Sequence, residues 1–141
     1  MKRRAVKHET VVRTIDVQLV TMSASITAER GPSNTPQQQA TAGLVIVGDM
    51  TQPLNDQTRV ELRVYATDAQ LGNGDPPAFG VIVVGDGTAR IGAFVRREYW
   101  TEVWAMASQG ALKCCRVSFT SPIRGQGLVT GLDMSNGHLD D

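Results

Sequence analysis

The chain has 141 residues, of which 41% are hydrophobic, and it carries 14 basic and 14 acidic side chains. This length suits one domain with a substantial core and is too short for two domains of ordinary size. Balanced charge gives the whole molecule no field that would by itself attract nucleic acid, a membrane surface or an acidic substrate. We therefore expect one domain and no function that depends on net charge alone.

The basic side chains are unevenly distributed along the chain. Four of them lie within the first seven residues: Lys2, Arg3, Arg4 and Lys7. We therefore expect a basic arm at 1–9, a single β-rich domain at 10–134 and a polar tail at 135–141. No run approaches the length of a membrane helix, and no apolar segment follows the basic start, so the chain is expected to be cytoplasmic and not a membrane protein.

Residues 10–28 predict one long strand whose inward face changes partway. The apolar alternating positions are first Ile15, Val17 and Leu19, and then Val20, Met22, Ala24 and Ile26. A β-bulge near Leu19 and Val20 would produce this shift, because one extra residue turns every later side chain to the other face. Fully extended, the strand would span roughly 60 Å, against a diameter of roughly 37 Å for a compact chain of this length. It must bend at the bulge, or project and pair with another subunit.

The next segments alternate between loops and strands. Residues 30–42 contain two prolines and a polar Gln run without periodicity, which predicts a mobile loop. Residues 58–68 are the clearest half-buried strand, and residues 71–78 form a loop. In the strand, Val60, Leu62, Val64 and Ala66 lie on one face, and Arg59, Glu61, Arg63 and Tyr65 lie on the other.

Residues 80–96 predict the central hairpin of the fold. Four β-branched residues, 81–84, precede the turn sequence Gly-Asp-Gly, and a second apolar segment follows. An uninterrupted aliphatic run favours a strand that is covered on both faces. The segment 80–88, GVIVVGDGT, also resembles GLVIVGDMT at 43–51, either as a duplication or as two similar strand ends.

Residues 97–109 are compatible with a helix or a strand. Trp100, Val103, Trp104 and Ala107 fall at helical spacing, and Gly110 stands where a C-terminal glycine belongs, so a helix is favoured. Two further strands are expected, at 111–120 and 128–134. The predicted fold is mainly β: an antiparallel β-sandwich or barrel-like domain of about seven strands with one short helix at about 97–109.

Residues that could carry catalysis or hold a metal are sparse. His8 and His138 lie near the chain ends, where no rigid scaffold is expected to orient them. Cys114 and Cys115 are adjacent and lack metal-ligand spacing, so they are expected to be free structural thiols. No phosphate-binding glycine loop is present, and no metal, cofactor or catalytic residue is predicted.

Two aspartates and one aromatic cluster define the functional hypotheses. Asp49 and Asp86 would be a carboxylate pair in an enzyme, although turn residues are the simpler interpretation. The expected binding surface combines arginines and aromatics: Arg96, Arg97, Tyr99, Trp100 and Trp104. We expect a non-enzymatic binding or assembly module that self-associates through strand edges as a homo-oligomer or binds a protein partner. The alternatives are a single-stranded nucleic-acid binder that uses the basic arm and residues 96–104, and the carboxylate enzyme.

Overall fold

Seven strands and one α-helix make up the structure, a computed structural model that describes residues 9–140. In chain order the elements are β1 (Thr10–Arg30), β2 (Pro36–Leu54), β3 (Gln57–Thr67), β4 (Gly80–Gly85), β5 (Thr88–Arg96), α1 (Arg97–Ser108), β6 (Cys114–Thr120) and β7 (Gln126–Ser135). Strands account for 64% of the described residues. The predicted mainly β fold of seven strands with one short helix is confirmed. The basic side chains of the N-terminal arm lie outside the described residues.

The strands close into a barrel in the order β1-β2-β3-β5-β4-β7-β6, with β6 pairing back to β1. Six of the seven neighbouring pairs are antiparallel, and the pair β3–β5 is parallel. The fold is therefore the barrel-like form of the prediction, with a mixed rather than a purely antiparallel sheet. The parallel pair arises because the chain crosses from β3 to β4 before the β4–β5 hairpin returns β5 to the side of β3.

The barrel interior is filled by alternate aliphatic side chains from its strands. Val60, Leu62 and Val64 of β3 are fully buried, which confirms the inward face predicted for that strand. The helix packs Trp100 and Val103 against this core. Within the described part of the chain, no helix has the length and apolar character needed to cross a membrane.

The aliphatic run of β4 is not covered on both faces, contrary to the prediction. Ile82 is fully buried, whereas Val81 is 45% exposed and Val83 is 42% exposed. Successive side chains of a strand point to opposite faces, so Ile82 points into the barrel while Val81 and Val83 point to its outer surface, where no further layer covers them. The run therefore has one buried and one solvent-facing side, as an ordinary barrel strand does.

Residues 30–42 are not a loop, and this prediction was wrong. β1 continues to Arg30 and β2 already begins at Pro36, so that only residues 31–35 connect them. The polar Gln run lies in β2 and pairs with residues 27–29 of β1. An exposed two-stranded ribbon buries little apolar surface, so its residues need not show the alternation that marks a half-buried strand.

A β-bulge lies in β1, close to the predicted position. The pairing register with β2 shifts between Val17 and Leu19, which leaves Gln18 as the extra residue. After the bulge, Val20 and Met22 pack against the core, as the change of apolar face predicted. Gly48 pairs with Val17 at this point, and a Cβ there would lie 2.2 Å from the backbone oxygen of Asp16. Only glycine fits this close approach of the two backbones.

Candidate functional site

The most prominent feature of the surface is a two-stranded ribbon, residues 23–42, that extends away from the barrel. In it, residues 23–30 of β1 pair with residues 36–43 of β2, and the pairing of β2 with β3 begins only at Gly43. At about 3.3 Å per residue, the ribbon extends roughly 25 Å. Residues 23–30 and 32–41 are all exposed, and Gly31 at the start of the connecting turn is partly buried.

The ribbon leaves one strand edge open. Residues 10–16 of β1 pair with β6, but residues 19–30 pair with β2 alone among the described strands. The opposite edge, on β2, is partly covered, because Arg97 donates a hydrogen bond from Nη2 to the carbonyl oxygen of Ala40 at 2.6 Å. The open edge on β1 therefore offers backbone donors and acceptors over most of the ribbon's length.

The two faces of the ribbon differ in polarity. One face carries Ala24, Ile26 and Ala28, and it continues the inward face on which Val20 and Met22 pack against the core. Ile26 is 69% exposed. The other face carries mostly Ser, Thr and Gln side chains at residues 23, 25, 27, 37, 39 and 41. An apolar surface that begins inside the barrel thus continues into solvent.

The predicted binding residues at the start of α1 do not form one surface. Arg96 and Tyr99 line an apolar groove of about 340 Å³. Arg97 points toward the base of the ribbon, where its Nε lies 3.0 Å from the carboxylate of Asp68. Trp100 and Trp104 contact each other, with ring centroids 6.0 Å apart, and both are partly buried. These five side chains therefore divide among a groove, an ion pair and a packed aromatic pair.

A second group of arginines and aromatics lies on the outside of β3 and β5. Tyr65 and Phe94 stack with ring centroids 5.7 Å apart and an interplanar angle of 30°, because the parallel pairing sets them side by side. Arg63 and Arg90 line the same concavity, and Phe94 is 55% exposed. A hydrogen bond to Glu61 raises the pKa of Arg63. Strand alternation placed Arg63 and Tyr65 on this face, but their meeting with Phe94 depends on a pairing that the sequence does not reveal.

The two aspartates of the carboxylate hypothesis lie in different settings. Asp86 is a turn residue between β4 and β5 with φ 54°, as expected. Asp49 lies within β2 and is not a turn residue, so that interpretation was wrong for it. Its carboxylate accepts a hydrogen bond from Gln18 and lies 3.6 Å from Nη1 of Arg59. The segment 43–51 lies wholly within β2, whereas 80–88 runs through β4 and the turn into β5, so the resemblance between the two segments does not extend to their structures.

The adjacent cysteines lie on opposite surfaces of β6, as predicted, and both are free thiols. Cys115 is fully buried in the barrel core, and burial raises the pKa of its thiol to about 12. Cys114 faces the outside of the barrel, yet only 2% of its surface is exposed. Its donor atom lies near those of Asp16 and His138, within 4.8 Å. The sequence predicts a solvated tail at His138, because nothing local indicates that the tail returns to β6.

No family model, curated protein or solved structure matches this chain.

Proposed function

We propose that the protein is a non-enzymatic assembly module that forms a homodimer by antiparallel pairing of the open β1 edge, residues 19–30, with the same edge of a second copy. The observation that carries the proposal is the ribbon that projects from an otherwise closed barrel. In a barrel every strand has two neighbours, so the ribbon supplies the open edge for pairing. The two free thiols fit a cytoplasmic, reducing compartment.

The composition of the edge favours pairing. Residues 19–28 contain no charged side chain and no proline, which are the features that usually block the addition of another strand. An isolated two-stranded hairpin is also marginally stable in water, and additional strands stabilise it. Two identical edges can pair about a two-fold axis, because each contributes the same surface. The apolar face with Ile26 would then lie beside its counterpart in the second copy.

The hydrogen-bond pattern of the ribbon identifies which amides face the partner. The N–H of Gly31 donates to the carbonyl of Thr35 at 2.9 Å. Bonded pairs alternate with non-bonded pairs in antiparallel strands, so the next pair, Arg30 and Pro36, is non-bonded, in agreement with the missing N–H of proline. By the same alternation, Ile26 and Ala40 are a non-bonded pair. The Ile26 backbone therefore faces the open β1 edge, and the Ala40 backbone faces the opposite edge.

This alternation provides a matched pair of variants. Ile26→Pro removes an amide from the open β1 edge, and Ala40→Pro removes one from the β2 edge, while neither deletes a hydrogen bond within the ribbon. Sedimentation equilibrium across micromolar concentrations measures the association of each variant. We expect the unmodified protein and Ala40→Pro to dimerise and Ile26→Pro to associate at least about tenfold more weakly, the equivalent of about 1.4 kcal/mol.

Two results would contradict the assembly proposal. The first is an unmodified protein that remains monomeric at high micromolar concentration. The second is a dimer that Ile26→Pro weakens no more than Ala40→Pro does, which would place the interface elsewhere on the molecule.

A second candidate function is binding of single-stranded nucleic acid, and the Tyr65–Phe94 stack favours it. Aromatic rings flanked by arginines bind single strands by base stacking and phosphate contacts. Here Arg63 and Arg90 flank the aromatic pair on an open surface. This surface differs from the residues 96–104 that the sequence indicated, and the basic arm would add phosphate contacts to either.

Fluorescence anisotropy with a labelled single-stranded oligonucleotide tests this candidate. Base–aromatic stacking is worth about 1–3 kcal/mol per base, so Phe94→Ala should weaken binding about fivefold or more. Phe119→Leu, a change inside the barrel, is the control for the aromatic substitution and should leave binding unchanged. Absence of binding at low salt would exclude this function.

A further inference from the structure

The outer surface of the barrel holds a second chemical cluster at the start of β6. Asp16 of β1, Cys114 of β6 and His138 beyond the end of β7 each offer one donor atom, and these atoms lie within 4.8 Å of one another. The three side chains come from separate parts of the sequence. Their proximity is therefore a product of the fold and not of a local sequence motif.

Backbone pairing holds the cluster together. Asp16 and Cys114 are register partners between β1 and β6, and Cys114 is also the partner of Ser135 in β7. The N–H of Lys113 donates to the carbonyl of Ser135 at 2.9 Å, and the carbonyl of Lys113 accepts from the N–H of Val17 at 3.0 Å. Cys114 thus lies between β1 and β7, which are both held by backbone hydrogen bonds. The tail that follows β7 brings His138 close to Cys114.

The tail is attached to the barrel by further contacts around this cluster. Nη1 of Arg116 donates to the carbonyl oxygen of Asp140 at 3.1 Å, and Nη2 of Arg116 lies 3.0 Å from the carboxylate of Asp133. The carboxylate of Asp140 lies 3.1 Å from Nε2 of His138. A carboxylate beside an imidazole is the usual arrangement for orienting a metal-ligating histidine.

The donor set selects the class of ligand. A thiolate, an imidazole and a carboxylate together suit Zn²⁺ and related transition metals, whereas Ca²⁺ and Mg²⁺ prefer oxygen donors alone. Nucleophilic catalysis by Cys114 is disfavoured, because only 2% of the residue is accessible to a substrate. The imidazole and the carboxylate beside this buried thiol are exposed. A cation can therefore reach the three donor atoms from the solvent side.

We propose that Asp16, Cys114 and His138 bind a divalent cation of the zinc class, and that this cation fastens the C-terminal tail to the outside of the barrel. The thiol of Cys114 loses its proton to solvent when the metal–sulfur bond forms. Asp140 orients the imidazole or supplies a fourth ligand. The site is independent of the ribbon and of the proposed dimer.

Cobalt(II) is the probe for this site, because a cobalt–thiolate bond gives a charge-transfer absorption in the near ultraviolet. The full chain, stripped of metal with a chelator and kept reduced, is titrated with Co²⁺ and then with Zn²⁺. We expect the absorption to saturate at one Co²⁺ per chain and to be displaced by Zn²⁺ but not by Mg²⁺.

The adjacent cysteines provide the matched control. Cys114→Ala should abolish the absorption, whereas Cys115→Ala removes a thiol on the opposite surface of the same strand and should retain it. His138→Gln changes an exposed side chain that the fold does not need, and it should weaken cobalt binding at least about tenfold. Asp16→Asn should weaken it to a similar degree.

Three results would overturn the metal site. They are no charge-transfer absorption with Co²⁺ in excess over the unmodified protein, an absorption that persists in Cys114→Ala, and unchanged cobalt affinity in His138→Gln. Loss of the absorption in Cys115→Ala with retention in Cys114→Ala would place the metal–thiolate bond on the wrong surface of β6 and would equally contradict the proposal.

Discussion

The barrel and the ribbon are built from the same two strands, β1 and β2, yet they differ in what surrounds them. Ile46 and Ile26 lie on the same face of this strand pair, because both belong to the alternating set that begins after the bulge. Ile46 is fully buried, whereas Ile26 is 69% exposed. Strand alternation decides which face a side chain occupies, and closure of the barrel decides whether that face is covered.

The comparison implies that the two regions contribute unequally to stability. Each barrel strand has two neighbouring strands and one face against the core, whereas each ribbon strand has one neighbour and both faces in solvent. Segments with few buried apolar contacts open more readily than the core of the same protein. The ribbon is therefore the less stable of the two regions in the monomer, and pairing with a partner strand would stabilise it more than it would stabilise the barrel.

The largest effect expected is the contrast between the two isoleucines. Ile46→Ala removes a fully buried side chain and should lower the free energy of unfolding by about 2–5 kcal/mol. Ile26→Ala should change it by no more than about 0.5 kcal/mol in the monomer. Urea unfolding at a protein concentration below the dimer range measures both. If Ile26→Ala is as destabilising as Ile46→Ala, Ile26 is buried in the monomer, and the claim that the ribbon is exposed while the barrel is packed would be contradicted.

A smaller effect is expected at Gly48, which lies within the barrel opposite the bulge of β1. A Cβ at Gly48 would meet the backbone oxygen of Asp16 at 2.2 Å, so Gly48→Ala should cost about 1–3 kcal/mol as the two backbones separate. Gly92 in β5 is the control, because a Cβ there has no neighbouring atom within 4 Å. Thermal unfolding measures both variants. If the two substitutions lower the melting temperature equally, the close approach of the backbones at the bulge does not contribute to stability.

The smallest effect concerns the alkaline stability of the barrel. Burial raises the pKa of Cys115 from 9.0 to about 12, so the folded chain retains a proton that the unfolded chain loses. The resulting stability is complete below about pH 9 and is lost as the pH rises toward 12, with a slope of up to about 1.4 kcal/mol per pH unit. Cys115→Ala should show a shallower decline in urea unfolding between pH 9 and 10.5. Identical pH dependence of the two proteins would show that folding does not raise the pKa of Cys115, and would contradict this prediction.

The parts of the fold that sequence analysis predicted are those that depend on local alternation. The inward face of β3, the helix at α1 and the bulge near Leu19 each follow from residues close in sequence. The parallel β3–β5 pair and the pairing of residues 36–42 with β1 depend on long-range contacts. The composition of the Gln run indicates only that it is exposed, and both a loop and a free ribbon satisfy that condition.

The candidate sites were less predictable, for the same physical reason. Tyr65 was assigned to an outer face, but its contact with Phe94 requires the parallel pair. His138 was assigned to a solvated tail, and its approach to Cys114 requires the tail to follow β7 back across β6. The arginines and aromatics of 96–104 are adjacent in sequence, yet the start of a helix directs them to different surfaces.

Residue-resolved amide hydrogen exchange, recorded at low and at high protein concentration, tests the central claim most directly. If the open β1 edge forms the dimer, the amides of Ala24, Ile26 and Ala28 should exchange rapidly in the dilute protein and become protected as the concentration rises. The amide of Ala40 on the opposite edge should gain less protection. Rapid exchange at residues 24, 26 and 28 at every concentration, in a protein that nonetheless dimerises, would contradict the account.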